Sequence, residues 1–356
     1  MTNIELIDRL EMSEILAVEE WVQLLSTYSA EDRKYAAARA REIAHRYFGH
    51  KIYTRGLIEF TSYCKNDCYY CGIRRSNQKA ERYRLEEEQI LKCCENGYQL
   101  GFRTFVLQGG EDGYDTDERI VSIVSKIHER YPDCAITLSI GERSEESYRR
   151  FFVAGASRYL LRHETADQEH YRKLHPEAMS FAHRIECLYT LKKIGFQTGC
   201  GFMVGSPGQT PETLAQDMIL IRKLHPQMVG IGPFIPHKDT PFRQEPAGTL
   251  ELTLFLLSLI RIMEKNVLLP ATTALGTIAP DGREQGILAG ANVVMPNLSP
   301  VAVRKKYALY DNKICTGEEA AECRGCLAGR MQKIGYRIVS DRGDWKERKE
   351  TDGVQV

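Results

Sequence analysis

Tyr63-Cys64-Lys65-Asn66-Asp67-Cys68-Tyr69-Tyr70-Cys71 sets three cysteines at C-x3-C-x2-C spacing. It follows Leu57-Ile58-Glu59-Phe60-Thr61, a run with the apolar and β-branched content of a strand. A structural zinc site takes four protein ligands, so a cysteine trio leaves one position open. Thiolates are also the usual ligands of a [4Fe–4S] cluster. Three of them hold three irons and leave the fourth free for a small molecule. Tyr70, just before the last cysteine, would shield such a cluster from water. The alternatives are a partial zinc site or three unrelated thiols. Spacing, aromatic and strand context together favour the cluster.

Working outward, β-rich runs alternate with helical ones from Lys51 onward. Strands are expected at 57–61, 104–107, 135–140, 158–161, 197–204, 228–231, 267–269 and 292–295. Helices are expected at about 85–100, 116–130, 145–154, up to 194, 211–224, 250–263 and 283–289, with a last one beyond 295. Pro211 suits the first turn of its helix, where a missing N–H matters little. Eight strand–helix units predict an α/β fold, a (β/α)8 TIM-type barrel. Residues 1–50 form N-terminal helices, 51–300 the barrel and 301–356 a C-terminal cysteine-containing extension. A parallel sheet with another strand order has the same period.

Barrel chemistry sits at the carboxyl ends of the strands, and polar residues recur there. Gln108-Gly109-Gly110-Glu111 follows the second strand, and Thr137 and Ser139 lie in the third. Arg162, His163 and Glu164 end the fourth, Thr272 and Thr273 follow the seventh, and Asn297 follows the eighth.

Lysine plus arginine and aspartate plus glutamate each total 48, so no basic excess points to nucleic acid. The hydrophobic fraction of 43% and charged fraction of 27% are ordinary for a globular protein. Eleven clustered cysteines favour metal ligation in a reducing, cytoplasmic setting over a disulfide scaffold. Met1–Leu10 lacks the pattern of a signal peptide, and Leu250–Met263 is too short to span a bilayer. That window repeats Leu252, Phe255, Leu256 and Leu259 at helical spacing, and Ile4, Ile7, Leu10, Ile15, Val18, Trp21 and Leu24 do so near the start.

Gly109 and Gly110 allow close backbone approach to a ligand, while Glu111 fixes local polar contacts. Arg162 and Glu164 lie two apart, so both face one side of a strand. They either pair with each other or bind a ligand, the arginine fork suiting a carboxylate. Gly201–Thr210 is glycine-rich but lacks the Lys-Ser/Thr of a P-loop. His163, His175, His225 and His237 share no ligand spacing and read as structural or surface residues. Cys315, Cys323 and Cys326 suggest a second metal site. Cys93, Cys94, Cys134, Cys187 and Cys200 read as small core residues.

The first trio resembles the signature of the radical S-adenosylmethionine (SAM) superfamily. That resemblance implies an open iron chelated by the amino and carboxylate groups of SAM. Electron transfer then cleaves a carbon–sulfur bond to give methionine and a 5′-deoxyadenosyl radical. Tyr69–Arg75, Val106–Gln108, Arg158–Thr165, Val229–His237, Pro270–Ala274 and Ala291–Asn297 are similar to one subfamily, the [FeFe]-hydrogenase maturases HydE. The likeness spans about residues 50–330.

It implies Cys64, Cys68 and Cys71 as cluster ligands and Gln108, Gly109, Gly110, Glu111, Glu164 and Arg184 as SAM contacts. Thr137, Ser139, Arg162, Thr272, Thr273 and Tyr307 would line the substrate end. The implied substrate is an iron–dicarbonyl–cyanide–cysteine synthon from HydG, whose sulfur the radical attacks on the way to the diiron subcluster. HydF-type maturases and a ferredoxin or flavodoxin are implied partners. A second cluster, [2Fe–2S] or [4Fe–4S], would sit at Cys315, Cys323 and Cys326. Competing readings are a biotin-synthase-like or methylornithine-synthase-like enzyme, or a non-catalytic iron–sulfur scaffold.

Overall fold

The computed structural model describes residues 1–317 and 320–347, without the side chains of Ala321 and Cys323. Its strands are β1 (Lys51–Thr54), β2 (Gly56–Thr61), β3 (Thr104–Gly109), β4 (Ala135–Ser139), β5 (Ala156–Leu160), β6 (Gln197–Cys200), β7 (Met203–Val204), β8 (Met228–Val229), β9 (Gly232–Pro233), β10 (Val293–Val294) and β11 (Arg337–Val339). The continuous apolar run of β2 is buried on both faces, as a parallel strand under helices must be.

Six strands pair in the order β2-β3-β4-β5-β6-β8, all parallel. The ring then closes through single bridges. Leu268 pairs with Met228 and Pro270 with Val293, and Leu57 of β2 pairs with Asn297. The seventh stave, expected at 267–269, therefore holds its place without a continuous ladder. Pro270 has no N–H to extend one. The eighth stave is the short β10 and the extended chain after it. The result is the closed barrel, with every stave pointing the same way.

The helix Leu250–Met263 begins at Thr249, whose hydroxyl accepts the Leu252 N–H at 3.2 Å. Phe255, Leu256 and Leu259 are buried, while Leu252 stays half-buried. The opposite face is covered by the helices Asn3–Ser13 and Ala30–Phe48, so this helix is apolar almost all round. Tyr28 stacks on Phe255 at 4.6 Å. Ile7, Leu10, Trp21 and Leu24 join the core, whereas Ile4, Ile15 and Val18 are exposed despite fitting the same rhythm. No helix among the described residues is long and apolar enough to cross a membrane.

β1, β9 and β11 were not expected. β1 continues the line of β2 alongside β10, and β11 pairs with β1 in parallel. Three half-exposed residues carry too little periodicity to announce β11. The chain after it closes the amino end of the barrel. Arg158, fully buried, donates through Nη2 to Arg342 O and Asp344 Oδ1, both at 2.7 Å. Its Nη1 donates to Thr104 Oγ1 at 3.2 Å. Asp344→Ala would leave that guanidinium without its countercharge, costing about 2 kcal/mol in urea unfolding. Glu145→Ala, which removes the exposed pair with Arg149, should cost no more than about 0.5 kcal/mol. Equal losses would show that the floor does not depend on Asp344.

Candidate functional site

A cavity of about 360 Å³ opens at the carboxyl ends of the staves. Its near wall is the cysteine loop, with Cys64, Cys68 and Cys71 all half-buried and lining it. The loop is held from several sides. Lys65 N–H donates to Glu111 O at 2.8 Å, and Asp67 pairs with Arg74 at 2.7 Å. Arg82 donates to the carbonyls of Ile73 at 2.8 Å and Arg74 at 2.7 Å. A Cβ on Gly110 would lie 2.1 Å from Tyr63 O and 2.8 Å from Cys64 Cβ. The Gly109-Gly110 turn therefore presses directly on the cysteine loop, and glycine is required there.

Burial pushes the Cys71 thiol up to about 12, and neighbouring Cys64 adds to the effect. Cys68 is raised by burial first and then by Cys71 and Cys64. Three thiolates here would repel one another, and bound iron would offset that. Among the described residues no three His, Cys, Asp or Glu side chains converge on a single ion. Tyr70 packs against Leu174, Met203 and Phe234 and donates to His175 Nε2 at 3.2 Å. Burial lowers His175 to about 3, which keeps it neutral as the acceptor.

Arg184 is a buried wall residue rather than the solvated helix arginine its surroundings in the sequence suggest. Its Nε lies 2.6 Å from Glu142 Oε1, and its Nη2 lies 3.8 Å from Glu111 Oε1. Burial opposes its charge, but Glu142 and Glu111 together raise it above the ordinary range. Gly141 makes room for this arrangement: a Cβ there would lie 2.0 Å from Glu111 Cγ.

Arg162 and Glu164 do pair, at 3.4 Å, and both line the cavity. Arg162 Nε and Nη2 and Glu164 Oε2 are nevertheless buried with no hydrogen bond among the described residues. Glu164 has φ +66°, an unusual conformation for a non-glycine residue. Buried His163 and Asp217, structural residues both, lie behind this turn. Glu164 N–H donates to Gly201 O at 3.0 Å, and Gly201 N–H donates to His163 Nδ1 at 3.2 Å. The proton of His163 is thus on Nε2, 3.2 Å from Asp217 Oδ1. Asp217, fully buried, also accepts the Ala166 N–H at 2.5 Å.

Ser139, Thr272, Thr273 and Tyr307 also line the cavity. Thr137 does not: it lies one pleat deeper in β4, with its hydroxyl buried and unpartnered. Gln108 Nε2 donates to Tyr307 OH at 3.4 Å, which joins an expected SAM contact to an expected substrate contact. Missed altogether was the pair of Glu59 and Lys313, both cavity residues, at 2.5 Å. Asn297 Nδ2 donates to the other Glu59 oxygen at 2.8 Å. A glutamate inside an apolar strand was its one sequence signal.

Of the second trio, Cys315 accepts from Arg283 Nη2 at 3.4 Å and Cys326 is exposed. The Cys323 side chain lies outside the described residues.

Asp217→Ala should weaken SAM binding about tenfold, ~1.4 kcal/mol, by freeing the Glu164 turn. Titration calorimetry on the folded variant measures this. Unchanged affinity would separate Glu164 from SAM.

Residues 58–221 match the Radical SAM superfamily. The [FeFe] hydrogenase maturase subunit HydE of Thermotoga maritima is 42% identical over 354 residues, 99% of this chain and 100% of that one. The 3-methylornithine synthase of Methanosarcina barkeri is 30% identical over 318 residues, 88% of each chain. Among solved structures, methylornithine synthase superposes with a TM-score of 0.83 at 27% identity, covering 94% of this chain and 97% of that one. HydG, a maturase of the [FeFe]-hydrogenase, superposes at 0.80 with 17% identity, covering 95% and 76%, a likeness of fold alone.

Proposed function

Because the chain belongs to the radical SAM superfamily and, within it, to the HydE family, we propose that this enzyme helps build the diiron subcluster of [FeFe] hydrogenase. The observation that carries the reading is one cavity lined both by the cysteine trio and by buried polar groups without hydrogen bonds on Arg162, Glu164, Arg184 and Thr272. Cys64, Cys68 and Cys71 would hold the [4Fe–4S] cluster. When bound, cluster and SAM supply a 5′-deoxyadenosyl radical, aimed in this reading at the cysteine sulfur of an Fe(CO)2(CN)–cysteine synthon.

The chain's own residues bind and orient. Gly109 and Gly110 bring backbone against the cysteine loop, where a SAM amino group would sit, with Glu111 in support. Arg184, whose charge is secured by two glutamates, suits the SAM carboxylate. Glu164 suits a hydroxyl or ammonium group of SAM, and Gln108 stands between SAM and Tyr307. Arg162 has unused donors for the carboxylate of a negatively charged substrate, and Thr272, whose Oγ1 is buried and unpartnered, belongs to the same lining. Ser139 and Thr273 add hydroxyls to the same lining, whereas Thr137 stays outside it. HydG as source, HydF as recipient and a ferredoxin or flavodoxin as reductant complete the setting. A second cluster at Cys315, Cys323 and Cys326 has no catalytic role here.

A methylornithine-forming mutase is the second reading, favoured by the fold superposition, but the HydE match is stronger and spans the whole chain. In an in vitro hydrogenase maturation assay with HydG and HydF, Arg162→Ala should lower the hydrogenase activity obtained by at least about tenfold. It should leave SAM cleavage largely intact. Loss of SAM binding instead would put Arg162 at the wrong end of the cavity. Failure of the unaltered protein to support maturation, with methylornithine formed, would select the mutase.

A further inference from the structure

The cysteine loop has an outer side. Beyond Cys71 the chain turns at Gly72 and Ile73, and both line a second, external groove of about 400 Å³. Ile73 also lines the inner cavity. The wall between the cysteine trio and solvent is therefore one chain thick at this point, and Cys71 is covalently joined to the groove floor. Gly72 permits the close fit: a Cβ there would lie 2.1 Å from Ala308 O and 2.4 Å from the His237 ring. Its N–H donates to Leu309 O at 2.8 Å, which ties the wall to the segment roofing the barrel.

The rim is basic although the whole chain is neutral. Lys79, Lys238, Lys305 and Lys306 line it against Glu81 and Asp239. Lys79 pairs with Asp239 at 3.0 Å, and Lys306 pairs with Glu81. Lys238 and Lys305 are exposed and have no ion pair among the described residues. The Asp311 carboxylate accepts the Lys238 N–H at 2.8 Å, so the four lysines outnumber Glu81, Asp239 and Asp311 and leave a modest positive field beside the thin wall.

We propose that this groove is where an acidic one-electron carrier protein docks, passing its electron inward through the Cys71–Gly72 backbone. The proposal rests on the radical SAM reading and names the surface that serves it. One electron leaves the reduced carrier and reduces the cluster, which spends it in SAM cleavage. Carboxylates around the carrier's redox centre would meet Lys238 and Lys305, giving orientation and on-rate.

The test is SAM cleavage by the reconstituted enzyme with either dithionite or a reduced acidic flavodoxin as electron source. Lys238→Glu/Lys305→Glu changes only exposed side chains outside the site described above. The double variant should match wild type with dithionite and fall on the order of tenfold with limiting flavodoxin at low ionic strength. The wild-type flavodoxin rate should also drop as salt is added. An unchanged flavodoxin rate in the double variant would overturn the proposal, as would an equal loss with dithionite. No cleavage by wild type with dithionite would instead sink the radical SAM reading, and the docking proposal with it.

Discussion

Leu57 closes the barrel. Its N–H donates to Pro296 O at 2.9 Å, and its carbonyl accepts the Leu298 N–H at 2.7 Å. Everything about the site depends on that seam. It sets the start of the first barrel stave beside the chain that follows β10. The cysteine loop further on meets the segment beyond Asn297, Gly72 N–H donating to Leu309 O. Two residues further along β2, Glu59 receives Asn297 and Lys313 on its two oxygens. A buried carboxylate without such partners is strongly unfavourable. Seam, glutamate and roof are therefore mutually dependent: Lys313 comes from the roof and also donates to Tyr307 O at 3.0 Å.

Local features of the site were legible in the sequence, and contacts made across the fold were not. The cysteine spacing, the double glycine and the polar residues at strand ends are short-range patterns, and the parallel barrel sets them around one opening. Strand–helix alternation gave the units but could not show closure, which rests on isolated bridges at Leu268, Pro270 and Leu57. Arg184 looked solvated because its partners, Glu111 and Glu142, follow other strands. Asp217 stabilises the Glu164 turn from a helix about fifty residues later, so no spacing could link them. Lys313 and the floor formed by Arg342 and Asp344 come from an extension with no strong period. Thr137 shows the limit of a strand-face argument, since sharing a face with Ser139 does not fix its depth.

The cavity gathers three kinds of group around one space. Tyr70 packs beside the half-buried cysteines and limits water where it would quench the chemistry. The lining carries a guanidinium and carboxylates fixed by buried pairs, so charges are in place before a ligand arrives. The rest of the lining holds unsatisfied donors and hydroxyls, which would suit the anionic substrate proposed above. The protein's contribution is placement and field, while the radical and iron chemistry belong to the groups it would bind.

The central claim is that the three cysteines hold a cluster whose open iron takes SAM. Anaerobic reconstitution with iron and sulfide, followed by reduction and EPR with and without SAM, addresses it directly. A [4Fe–4S]+ signal that shifts on adding SAM, with 5′-deoxyadenosine formed and both lost in Cys68→Ala, is the predicted result. A cluster whose signal ignores SAM and yields no nucleoside would contradict the account and leave an iron–sulfur scaffold in its place.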